Sequence, residues 1–167
     1  MADGGAREIG RITFTPEEIR RFAALYDPQP FHLDEAAGQA THFGGLVASG
    51  WHTACAWMGL FVRAFAEGTG DLPRDHAAVI APVGVGFGMT DLKWLAPVRA
   101  GDTVIFFDEI LDARASGSRP GWSVYHRAAS ARREDGTQVI RFELRHLAPD
   151  IPDRDRPQGA GEPSGPA

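Results

Sequence analysis

The sequence predicts an α+β fold in which one curled antiparallel sheet wraps around one central buried helix. Three observations predict it. A seventeen-residue stretch, Gly50 to Ala66, is apolar nearly all round, the pattern of a helix surrounded by protein. Everything after about residue 82 reads as long segments rich in β-branched and aromatic residues, joined by short Gly-containing turns such as "GSRPG" and "EDGT". Ahead of both lies a short strand-like segment followed by an amphipathic helix, so helices and strands are segregated along the chain.

The elements follow in order. In "RITFTPEEIRRFAALYD", Thr15 can cap a helix, Pro16 suits its first position and Glu18 completes a capping box. Ile19, Phe22, Ala23, Leu25 and Tyr26 then recur at helical spacing. The helix ends near Tyr26, because Pro28 disfavours helical geometry at Asp27. Pro28 and Pro30 are expected to hold the chain extended up to His32, and "LDEAAGQA" allows a short second helix. Ser49 and Gly50 open the apolar helix, and Glu67, Gly68 and Gly70 mark its end. "VGVGFGMTDLKWL", "PVRAGDTVIFFDEILDARA", "WSVYHRAASARR" and "QVIRFELRHLA" then form the meander. A sheet curled around a single helix is the hotdog arrangement.

The chain has 167 residues, enough for one domain with a sizeable core. Residues 9–148 are expected to form it, with 1–8 a flexible N-terminus. The stretch 149–167 holds five of the twelve prolines and almost no large apolar side chain, so it is expected to be a flexible tail. A composition of 43% hydrophobic and 23% charged residues is ordinary for a soluble globular protein. A net charge of −5 offers no whole-chain reason to expect nucleic acid. The single Cys55 excludes an internal disulfide framework and a multi-cysteine metal site. With no apolar signal core at the N-terminus and no run long enough to span a bilayer, the expected location is the cytoplasm.

Two short stretches can carry chemistry. "YDPQPFHLDEAA" places Asp27 and His32 five residues apart on a backbone restricted by prolines, which orders the two side chains in advance. In its plain reading this is a stiff turn with two incidental polar residues. "SGWHTA" starts the apolar helix. If Ser49 caps it, the Gly50 N–H lies unpaired at the positive end of the helix dipole, and the missing side chain admits a carbonyl oxygen. The plain alternative is a glycine merely tolerated at a helix start.

These residues carry a resemblance. "DPQPFHLD", "FGGLVASGWHTA" and "LKWLAPVRAGDTV" together resemble the MaoC-like dehydratases, the family that includes the (R)-specific enoyl-CoA hydratases, over roughly residues 11 to 148. The resemblance implies a hotdog dimer or higher homo-oligomer that adds water reversibly to a trans-2-enoyl thioester of coenzyme A or acyl carrier protein. Asp27 and His32 would activate the water and the Gly50 N–H would grip the thioester oxygen. No metal or cofactor is implied beyond the coenzyme A of the substrate, and neither nucleic acid nor membrane. Gln29, Phe31, Ser49, Trp51 and Met58 are the expected substrate-binding positions. The chain departs from the family pattern at Tyr26, where a Gly is usual, at Gln29, where an Asn is usual, and at Met58, where some relatives carry a small polar residue. The last change implies a less polar surround for Asp27 and a raised pKa.

Other features weigh less. "GVGFG" is no dinucleotide fingerprint, since the third glycine is misplaced. Gly84, Gly86 and Gly88 are read as a strand face kept bare, either for close helix packing or for an acyl chain, with packing preferred. His42, His52, His76, His126 and His146 lack metal-ligand spacing and are read as structural or exposed. Lys93 and Arg99 are weaker candidates for the phosphates of coenzyme A. Two competing functions share the helix-start chemistry. One is a hotdog thioesterase, which would need a carboxylate that Gly50 to Ala66 does not contain. The other is a non-catalytic acyl-thioester binding module.

Overall fold

The computed structural model describes residues 5–67 and 84–150. Nine elements follow one another: β1 (Arg7–Thr13), α1 (Pro16–Tyr26), α2 (Pro30–Leu33), α3 (Glu35–Gln39), α4 (Gly50–Glu67), β2 (Val85–Trp94), β3 (Thr103–Ala115), β4 (Trp122–Arg133) and β5 (Gln138–Pro149). The strands form one sheet in the order β1-β3-β4-β5-β2, with every neighbouring pair antiparallel. This is the curled sheet and central helix expected of the hotdog fold.

Helix α1 forms as its sequence dictates. Thr15 Oγ1 accepts from the Glu18 N–H, Pro16 occupies the first turn, and Ile19 and Ala23 turn inward. Asp27 leaves helical geometry ahead of Pro28, its N–H still bonded to the Ala23 carbonyl. The next segment is not extended to His32. Gln29 is extended, but Pro30 starts the one-turn helix α2, which His32 belongs to; proline's fixed φ suits a first helical position as well as a strand. Asp34 then caps α3 by accepting from the Ala37 N–H.

The core lies between α4 and the inner face of the sheet. Trp57 is fully buried, stacks on Phe61 at 4.8 Å, meets Phe142 edge-on at 5.1 Å, and donates its indole N–H to the Phe107 carbonyl at 2.8 Å. Around it pack Phe14, Ile19, Phe106, Ile140 and Leu144. Burial of each such side chain contributes about 1.5–3 kcal/mol.

Four further expectations are corrected. Arg7 and Glu8 are not loose: they pair with Asp108 and Phe107 as the start of β1. Pro149 ends β5 rather than starting a tail, and Asp150 is held by the Gly121 carbonyl and the Ser123 hydroxyl. Helix α4 is not covered on every side, because Trp51, Cys55 and Met58, spaced at four and three residues, form an exposed stripe on this chain. Of the three strand glycines only Gly84 is packed against, by the Leu147 carbonyl; Gly86 and Gly88 face open space. The rest of the expected tail, residues 1–4, Gly68, Gly70 and His76 lie outside the described residues.

Candidate active site

The segment from Leu46 to Ser49 connects the short helices to α4, and it brings the two candidate stretches together. The Val47 N–H donates to the Phe31 carbonyl, and His32 Nδ1 lies 2.7 Å from the Val47 carbonyl. A carbonyl only accepts, so Nδ1 carries the hydrogen and the other ring nitrogen, Nε2, is turned to Asp27. His32 Nε2 and Asp27 Oδ2 are 3.3 Å apart. His32 is buried, and Asp27 sits at the mouth of the same cleft.

Ser49 links this pair to the start of α4. It is almost fully buried, donates its hydroxyl to Asp27 Oδ2 at 2.7 Å, and accepts the Trp51 N–H at 3.2 Å. One hydroxyl therefore caps the helix and fixes the carboxylate. Gln29 donates to the other carboxylate oxygen at 2.9 Å. These bonds stabilise the ionised form: the Ser49 hydroxyl, ahead of Gln29 and His32, holds the Asp27 carboxyl below its ordinary value despite burial. The expectation of a raised pKa at Asp27 is thereby overturned. Ser49 provides the polar partner.

Gly50 occupies the first position of α4, and its N–H has no acceptor among the described residues. The cleft in front of it encloses about 540 Å³. Asp27, His32, Ser49 and Gly50 line one part of it, and Gln29, Phe31, Phe43, Trp51 and Trp94 the walls. Met58 does not line it, being two turns further along α4 on the exposed stripe. Tyr26 is exposed, packed on Phe22 and outside the cleft. Lys93 pairs with Asp91 at 2.9 Å, and Arg99 donates to the Phe43 carbonyl, which bounds the cleft; neither lines it. His52 stacks on Phe22 at 4.5 Å, and burial lowers its pKa, so its role is packing. Sequence reasoning missed Phe43, Val47 and Trp94. Trp94 stood inside "LKWLAPV", one position beyond the lysine that drew attention. No group of three or more His, Cys, Asp or Glu among the described residues is placed to hold a metal.

A sheet curled about one helix, with an Asp–His pair facing that helix's bare N-terminus, defines a hotdog protein of the dehydratase type. Residues 4–116 match the family described as "MaoC like domain", and the chain belongs to that family. A MaoC-like dehydratase from Rhodospirillum rubrum shares 33% identity and a TM-score of 0.70, covering 91% of this chain and 95% of that one. The (R)-hydratase PhaJ1 of Pseudomonas aeruginosa shares the fold at a TM-score of 0.63 and 24% identity, covering 87% of this chain and 81% of that one. Protein MaoC of Klebsiella aerogenes is 32% identical over 95 residues, 56% of this chain. The chain aligns with only 24% of that longer protein. No helix among the described residues is long and apolar enough to cross a membrane.

Proposed function

We propose that the protein reversibly hydrates a trans-2-enoyl thioester, of coenzyme A or an acyl carrier protein, as the (R)-specific enoyl-CoA hydratases of its family do. The observation that carries this reading is the placement of Asp27 and His32 beside the unpartnered Gly50 N–H in one cleft. Adding water to an activated alkene needs a base for the water, a proton for the α-carbon and a donor for the oxygen on which charge develops.

The chain has a group for each. With Nδ1–H committed to the Val47 carbonyl, Nε2 is the ring nitrogen left to act as the base. Asp27, kept ionised by Ser49 and Gln29, accepts the second hydrogen of the water and orients it. The water oxygen bonds to the β-carbon as its proton passes to Nε2, and the π electrons move onto the thioester oxygen, held by the Gly50 N–H. The resulting imidazolium returns the proton to the α-carbon. A carboxylate held ionised is no proton source, which leaves that step to His32. Gln29, Phe31, Ser49 and Trp51 shape the cleft, and Met58 has no part in it.

Crotonyl-CoA and longer enoyl-CoAs are the substrates to assay, with Asp27→Asn and His32→Ala as controls. Loss of about 100-fold or more in kcat is expected from each. Full activity in both variants would sink the dyad. The thioesterase reading finds no support in α4, which carries no carboxylate before Glu67. A second copy of this chain is the proposed partner, covering the exposed stripe of α4.

A further inference from the structure

The indole of Trp94 rests on the helix start. A Cβ built on Gly50 would lie 2.3 Å from Trp94 Nε1, 2.5 Å from Cε2 and 2.6 Å from Cδ1. A point straight ahead of the N–H bond would stand distinctly further from the two carbons than from the nitrogen. The near equality places Gly50 under the face of the five-membered ring, so the indole N–H runs alongside the glycine rather than into it. A glycine is required here by Trp94 itself, before any substrate arrives.

The ring is held in place. Trp94 ends β2 paired with Ile140, the Leu95 N–H donates to the Val139 carbonyl at 2.9 Å, and Trp51 meets the indole edge-on at 5.2 Å. Trp57 donates its indole N–H to a backbone carbonyl, whereas that of Trp94 has no acceptor among the described residues. Two N–H groups without acceptors, one on the backbone at Gly50 and one on the Trp94 ring, thus flank the same corner of the cleft.

We propose that the Trp94 indole N–H is a second hydrogen-bond donor to the substrate carbonyl oxygen bound at Gly50, so that the two donors share the charge that develops there. A thioester oxygen has two lone pairs, and an enolate-like oxygen accepts two such bonds more strongly than the ground-state carbonyl does. This role rests on the hydratase reading above.

The test separates the two. Trp94→Phe keeps the ring and removes the donor; it is expected to lower kcat on crotonyl-CoA by about 10- to 100-fold with KM little changed. Trp94→His, which restores a ring N–H, is expected to recover part of that loss. Equal loss in both variants, or none in Trp94→Phe, overturns the proposal. Binding 2,4-hexadienoyl-CoA to the Asp27→Asn chain reports carbonyl polarisation as a red shift of the dienoyl absorption. That shift is expected to shrink in Asp27→Asn/Trp94→Phe, and an unchanged shift overturns the donor role. A shift that depends on Trp94 in a protein without hydratase activity would overturn the catalytic reading and leave the donor standing. No shift in either chain overturns both.

Discussion

The Ser49 hydroxyl donates to Asp27 Oδ2 at 2.7 Å while accepting the Trp51 N–H, so one buried atom joins the Asp27 carboxylate to the start of α4. Removing it tests both ends of the bond. Ser49→Ala takes away the largest influence holding the Asp27 carboxyl down, so the Asp27 pKa rises. In the proposed mechanism Asp27 acts ionised, so the acidic limb of the kcat/KM profile is expected to move to higher pH. The lost cap also costs about 1 kcal/mol of stability, readable in a urea titration. An acid limb that stays put would show that Asp27 does not set it.

Gly38 fixes the segment that leads to Ser49. A Cβ there would lie 2.3 Å from the Gly45 carbonyl oxygen and 2.9 Å from the Leu46 nitrogen, both backbone atoms with nowhere to retreat. Glycine to alanine in a helix ordinarily gains up to about 1 kcal/mol. Gly38→Ala is expected to do the opposite and destabilise by about 1–3 kcal/mol through overpacking, while also lowering kcat by shifting Val47 away from His32. A more stable variant would contradict the close approach of α3 and the 43–46 turn.

The exposed stripe of α4 and the edge strand β2 predict a homodimer. Trp51 and Met58 are 50% and 36% exposed on the helix, and Val85 and Phe87 are 58% and 60% exposed on β2, which is paired only with β5 among the described residues. Apolar groups exposed on a helix face and on a sheet edge are the kind that association covers. Light scattering is expected to give twice the 18.0 kDa chain mass. A carboxylate placed in the interface by Phe87→Asp costs about 2 kcal/mol or more, weakening association at least about 30-fold. A wild-type monomer at micromolar concentration would refute this.

The elements legible in the sequence were those set by local chemistry. Thr15 and Pro16 announced α1, the apolar run announced α4, and the turn glycines divided β3, β4 and β5. Asp27, His32 and Gly50 were legible as candidates because prolines and a helix start limit the backbone around each. What stayed hidden depends on long-range register. Ser49 reaches a carboxylate twenty-two residues away, and its partner is decided by how the 46–49 segment packs. Trp94 meets Gly50 only because β2 pairs with β5 at the far edge of the sheet. Met58 looked like a pocket residue by spacing from Gly50, but the direction of α4 carries it out of the cleft.

A second polar cluster, equally invisible in sequence, is expected to contribute to acid stability. Arg127 is buried on the inner face of β4, donates through Nε to His146 Nε2 at 2.8 Å, and pairs with Asp108 through Nη1. Burial, with the Arg127 charge adding to it, pushes the His146 pKa down to about 4. An unfolded histidine takes up its proton near pH 6.5. The folded state stays neutral down to about 4, so its stability is fully present above pH 6.5 and is lost progressively as the pH falls towards 4. Between pH 7 and pH 5 this amounts to about 2 kcal/mol. His146→Gln keeps an acceptor for Arg127 and does not titrate. Urea midpoints of the wild type should fall between these pH values more steeply than those of His146→Gln. Parallel changes in the two proteins would show that folding leaves the His146 pKa where it stands in the unfolded chain.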